Sequence, residues 1–147
     1  MANSLSESVI PIEVLLVQDD PGDVFMAQAA FDDHKVMNNL HVVADRVAAL
    51  SFLRGQGEYR DRPRPDLILL DLNLGDSRQL LAEVRSDDEL RHLPVVGLTS
   101  SKAEQEALRD DLHADAYMTK PVDFERFVDV VCRLDAFFLS VVRLPRR

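Results

Sequence analysis

Short unbroken apolar runs alternate along this chain with longer stretches in which apolar residues recur every three or four positions. The runs are Val14-Leu15-Leu16-Val17, a second over 40–44, Leu67-Ile68-Leu69-Leu70, Val95-Val96-Gly97-Leu98 and the short Ala116-Tyr117-Met118-Thr119. Continuous runs of this kind are strands buried on both faces, as in parallel sheets. They predict strands near 13–18, 40–44, 66–71, from Pro94 onward, and at 115–118. Between them, Val24, Met26, Ala27, Ala30 and Phe31 share helical spacing up to about His34. Asp20 is suited to cap that helix, Pro21 to open it, and Asp23 to complement its positive end. Further helices are expected over 46–54, where Gly55 stops the pattern, and over 78–86 and 103–112. A last helix starts after Pro121 with Asp123 as its cap, reaches about Val142, and is closed by Pro145. The stretch 56–65 is polar and broken by prolines, so it reads as a loop.

Five strands and five helices in strict alternation imply an α/β fold, a parallel sheet with helices on both faces. At 147 residues the chain is expected to form one domain. Residues 1–11 read as a flexible leader, and 12–147 as the domain with an extended C-terminal helix and tail.

The net charge of −9 disfavours nucleic acid and anionic membranes as partners. Arg60, Arg62 and Arg64, and Arg143, Arg146 and Arg147, form clusters too small for a duplex-binding face. The single cysteine, Cys132, excludes an internal disulfide and reads as a small buried hydrophobe. No apolar stretch matches a signal peptide or a membrane span, so the cytoplasm is the expected location. His34, His41, His92 and His113 are scattered without metal-ligand spacing and read as structural or solvated.

Chemistry gathers at the strand ends. Asp19 follows the first run, Asp71 ends the third, Thr99 follows the fourth, and Lys120 follows the fifth and precedes Pro121. Open α/β sheets place ligand sites at the carboxyl ends of their strands. Two carboxylates, a hydroxyl and an amine there suit phosphoryl chemistry on an aspartate. Each alone has a plainer reading: an acid capping a turn, a surface lysine, a threonine or serine capping the helix after the fourth strand.

The segments VLLVQDD, DLILLDLNL, LTS and YMTKP, in this order on alternating elements, resemble the receiver domain of two-component response regulators over about 13–142. The resemblance implies a flavodoxin-like (βα)5 fold with strand order 2-1-3-4-5. It implies Asp71 as phosphoacceptor and Asp19 as a magnesium ligand, with the backbone carbonyl of Asn73 beside it. Thr99 would bond a phosphoryl oxygen, Lys120 would pair with the phosphoryl group and Asp71, and Tyr117 would be the switch aromatic. The family often has a cis peptide before the proline that matches Pro121. The segment GQGEYRDRPRPDLILLDLNL and the tail FFLSVVRLP are similar to single-domain regulators paired with phytochrome-type histidine kinases. The expected function is therefore a stand-alone phosphorylation switch with an unknown downstream partner. It would not be an enzyme beyond its own phosphorylation and dephosphorylation.

Two departures bear on this expectation. Gln18 stands where the family usually has a second acid, which predicts a weaker Mg²⁺ site that Gln18 serves only through a water. Asp20 is a poor substitute, since a one-residue shift at a strand end turns the side chain elsewhere. The loop Gly75-Asp76-Ser77 is about two residues shorter than the phytochrome-associated pattern and lacks its Asp-Gly pair. These departures support a competing reading, a pseudo-receiver that binds proteins without taking phosphate. A phosphohydrolase of the haloacid-dehalogenase type is disfavoured, because Asn73 occupies the place of that family's second acid.

The last predicted helix carries Phe124, Phe127, Val128, Val131, Leu134, Phe138 and Val141 at three-and-four spacing, with Val130, Phe137, Leu139, Val142 and Leu144 outside that stripe. A helix apolar nearly all round needs two burial partners. About 20 residues at 1.5 Å rise also span roughly 30 Å, longer than the strands beneath. A homodimer through this helix and the tail is the expectation.

Overall fold

The computed structural model describes residues 12–32, 38–100, 114–120 and 125–126. The leader, the helix expected over 103–112, Pro121 with its peptide bond, and the stripe of the last helix lie outside them, as do Cys132, His34 and His113. The five strands are β1 (Ile12–Val17), β2 (Asn38–Val43), β3 (Leu67–Asp71), β4 (Val95–Thr99) and β5 (Ala116–Thr119). All neighbouring pairs are parallel, in the order β2-β1-β3-β4-β5. The expected fold and strand order are thus both found. The described helices are α1 (Pro21–Asp32), α2 (Arg46–Leu53) and α3 (Ser77–Ser86), with one 3-10 turn at Gly57–Tyr59 inside the expected loop.

Alternation along each strand makes two cores. Val14, Leu16, Leu67, Leu69, Val96, Leu98 and Met118 face α1 and pack with Ala27 and Phe31. Leu15, Val17, Ile68, Leu70 and Val95 face the other way and pack with Phe52 and Leu53 of α2 and Leu80, Leu81 and Val84 of α3. The β3 side chains are buried on both faces, which explains their unbroken apolar run. Each such burial contributes about 1.5–3 kcal/mol.

Several boundaries differ from the sequence expectation by a residue or two. The first strand ends at Val17, leaving Gln18 just beyond it, while β4 and β5 include Thr99 and Thr119. α1 opens as expected: Val24 N donates to Asp20 O at 3.0 Å and Gly22 N to Asp20 Oδ1 at 3.3 Å. α2 has its own cap, Asp45, whose side chain accepts from Ala48 N. Asp76 stands at the cap position of α3 without a side-chain capping bond.

Polar contacts pin the far end of the sheet. Asp115 Oδ2 accepts from Val95 N and from Arg85 Nη2, both at 2.8 Å, which ties β4, α3 and the entry to β5 together. His41 Nε2 and Glu13 Oε1 lie 2.7 Å apart, and the His41 ring packs on Phe52. That histidine is structural, as expected.

Candidate functional site

Asp71 is the one acid among the buried residues described, at 3% exposure. A buried carboxylate needs partners, and Asp71 has two kinds. Asn73 N donates to Oδ1 at 3.0 Å, closing a tight turn directly after the strand. Lys120 Nζ lies 3.3 Å from both Oδ1 and Oδ2. Lys120 is carried there by the end of β5, where its backbone N–H donates to Thr99 O at 2.8 Å. Oδ2, with Lys120 alone among the described residues, is the less committed oxygen.

The ammonium has a third acceptor, Asp23 Oδ2 at 3.1 Å, from the first turn of α1. Burial alone would lower the affinity of Lys120 for its proton. The hydrogen bond to Asp23 and the charge and hydrogen bond of Asp71 outweigh it, so its pKa stands above the usual lysine value.

The other strand-end residues lie along the same carboxyl edge of the parallel sheet. Thr99 is fully buried at the end of β4. Asn73 is exposed, and its Oδ1 accepts from Ser100 Oγ at 2.9 Å. Asp19 is exposed and makes no hydrogen bond or ion pair among the described residues. Gln18 is 2% exposed, and its Oε1 accepts from Asp20 N at 3.0 Å. Its Nε2 has no hydrogen-bond partner among the described residues. Tyr117 is half-buried and stands opposite Gly97 in the β4–β5 register.

This set of four motifs on a 2-1-3-4-5 sheet matches one family. The response regulator receiver domain covers residues 14–132. The chain belongs to that family. Response regulator Rcp1 of Synechocystis sp. (strain ATCC 27184 / PCC 6803 / Kazusa) is 38% identical over 95% of this chain and 97% of its own. A solved structure of Rcp1 in its Mn(2+)-bound form superposes with a TM-score of 0.68, covering 92% of this chain and 99% of the other. The phosphorylated cyanobacterial phytochrome response regulator RcpA is 37% identical over 92% of this chain and 99% of its own, with a TM-score of 0.69. The bacteriophytochrome response regulator AtBRR reaches 0.77 at 37% identity, over 85% and 93%.

Two residues bonded to these side chains, Asp23 to Lys120 and Ser100 to Asn73, were not joined to them from the sequence. Asp23 reads as a charge on the positive end of a helix, and Ser100 as a helix cap. The available signal was positional: the first turn after β1 must lie over the carboxyl edge of the sheet, where sites form.

No group of three His, Cys, Asp or Glu side chains among the described residues forms a metal cluster. The donors offered at this edge are oxygens: the Asp19 carboxylate, unengaged among the described residues, Asp71 and the Asn73 carbonyl. Few hard protein donors, with water completing the shell, fit Mg²⁺ better than a cation that needs a full protein cage.

Proposed function

We propose that this receiver domain accepts a phosphoryl group on Asp71 and acts as a phosphorylation-dependent switch. The observation that carries the reading is the buried Asp71 carboxylate with the Lys120 ammonium 3.3 Å from both its oxygens. A lone pair of Asp71 Oδ2 forms the new P–O bond. The bond from phosphorus to the donor's leaving group breaks, and its electron pair leaves with that group. Lys120 then follows the charge to the phosphoryl oxygens, and Thr99, at the end of the neighbouring strand, supplies a hydroxyl. Catalysis of this kind is mostly placement and charge. Asp19, Asp71 and the Asn73 carbonyl would hold Mg²⁺, with Gln18 at most contributing through a water. The ion would offset the negative charge of the incoming group.

The donor is a histidine kinase, of the phytochrome type by analogy with the relatives' own names. The protein works in the cytoplasm, catalyses nothing beyond its own phosphorylation and dephosphorylation, and pairs as a homodimer through the last helix and tail. Tyr117 is the switch aromatic.

Incubation with Mg²⁺ and acetyl phosphate, read by intact mass, tests the central claim. Wild type should gain one phosphate and Asp71→Asn none. Equal labelling of the two would remove Asp71 from the role. A wild type that takes nothing would favour the pseudo-receiver.

A further inference from the structure

We propose that Asp23 is a positioning residue for Lys120, occupying from α1 the acidic place that Gln18 leaves neutral at the end of β1. The proposal rests on the reading of Asp71 as phosphoacceptor. A lysine ammonium has three N–H donors, and three carboxylate oxygens surround this one. The nearest is Asp23 Oδ2 at 3.1 Å; the two of Asp71 are at 3.3 Å. Asp23 has no other hydrogen-bond or ion-pair partner among the described residues.

Gln18, Asp23 and Lys120 line the same small cavity of about 10 Å³, closed by Leu16, Met26, Ala27 and Leu98. Gln18 makes no hydrogen bond to the ammonium among the described residues. The Asp20 amide holds its oxygen at 3.0 Å. The other end of its side chain is an NH₂ group, buried and without a partner among the described residues. The carboxylate that does face Lys120 in this cavity comes from the helix. Its contact spans 97 positions of sequence.

The arrangement has a consequence for the chemistry. While Asp23 shares the ammonium, Lys120 does not settle wholly on Asp71, and the acceptor oxygen keeps its negative charge for attack. Without Asp23 the ammonium closes on Asp71 alone, and that ion pair must break before the P–O bond forms.

The test uses the full chain with Mg²⁺ and acetyl phosphate, following phosphate incorporation by mass. Asp23→Asn should slow incorporation by about three- to tenfold, less than the roughly hundredfold that a 1 Å misplacement can cost, because Lys120 keeps its contacts to Asp71. Asp23→Glu should restore most of the rate. Asp32→Asn removes the same charge from the same helix roughly 13 Å further along its axis and should keep the wild-type rate. A second readout needs no phosphate: the NMR signal of the Lys120 ammonium should broaden or exchange faster in Asp23→Asn and recover in Asp23→Glu. Incorporation in Asp23→Asn at or above the wild-type rate would overturn the proposal, as would an unmoved ammonium signal. If the wild type takes no phosphate, the Asp71 reading fails, and the ammonium signal still decides the role of Asp23.

Discussion

Gly97 sits in the middle of β4, opposite Leu70 on one side and Tyr117 on the other. A Cβ placed there would lie 2.7 Å from Leu72 Cδ1, 3.1 Å from Leu72 Cγ and 3.2 Å from Tyr117 Cδ2. Leu72, the residue after Asp71, therefore occupies the space that a side chain at 97 would fill. Gly97→Ala forces Leu72 to rotate and the Tyr117 ring to give. Overpacking of a well-filled core costs about 1–3 kcal/mol. Against it stands a gain of about 0.4–1 kcal/mol, because alanine has less freedom than glycine to lose on folding. The balance is a destabilisation of about 1 kcal/mol.

The same geometry predicts coupling. In a Leu72→Ala background the two closest contacts are gone, and Gly97→Ala should become neutral or slightly stabilising. The interaction energy of the double-mutant cycle should reach about 1 kcal/mol, within the range for touching residues. Urea unfolding measures it through shifts in midpoint at constant slope. If Gly97→Ala has the same effect in both backgrounds, or stabilises the wild type, Leu72 does not fill the glycine notch and the steric argument is wrong.

Three further outcomes follow from the structure. Gln18→Glu adds a negative charge at the proposed Mg²⁺ site; a unit charge about 4 Å from a divalent ion in a water-like dielectric gains about 2 kcal/mol, an upper bound of about thirtyfold, so with the solvation cost of the new carboxylate binding should tighten severalfold. Asp19→Asn should nearly abolish binding, and calorimetric titration checks both; unchanged affinity in Gln18→Glu would show the extra charge to be immaterial. Burial raises the pKa of Asp66 above its ordinary 3.8, against the lowering effect of the bond it accepts from Glu13 N. The folded state therefore holds that proton more tightly than the unfolded state. Its stabilising contribution is full below pH 3.8 and is lost as pH rises through the folded-state pKa. Asp66→Asn, which keeps the acceptor oxygen, should unfold at a higher temperature than wild type at pH 7, with the gap closing towards pH 4; a constant gap would contradict this. Finally, light scattering should find the full chain dimeric at tens of micromolar and a chain cut after Leu134 monomeric, and a monomeric full chain would refute pairing through the last helix.

Residues whose meaning is set by near neighbours in sequence were legible. An apolar run ended by Asp71, and another followed by Lys120, are local patterns, and the structure joins them at 3.3 Å. Alternation gave the parallel sheet, but the order β2-β1-β3-β4-β5 came from resemblance, since periodicity carries no information about which strands are neighbours. The one-residue shift of β1 matters more than its size suggests. With the strand ending at Val17, Gln18 is held by its own backbone bond to Val43 O at 3.0 Å and by the Asp20 amide. Gly97 gave no local signal, because its partner Leu72 belongs to another strand's exit.

Asp23 shows why the acid missing at position 18 is not simply a loss. Its charge suits a helix N-terminus so well that sequence offers no reason to look further. Yet α1 starts three residues after β1, so its first turn overhangs the same edge as Asp71. A carboxylate there reaches the Lys120 ammonium. If Asp19 holds the metal as proposed, the site has three carboxylates, Asp19, Asp23 and Asp71, against one ammonium. That is the same formal charge as a site with two acids at the end of β1, Asp71 and a lysine. If the site conserves charge rather than any one acid, Gln18→Glu alone overshoots, and combining it with Asp23→Asn should return both Mg²⁺ affinity and phosphate incorporation towards wild type. A double variant no better than Asp23→Asn alone would mean that the place of the charge, and not its sum, is what the site requires.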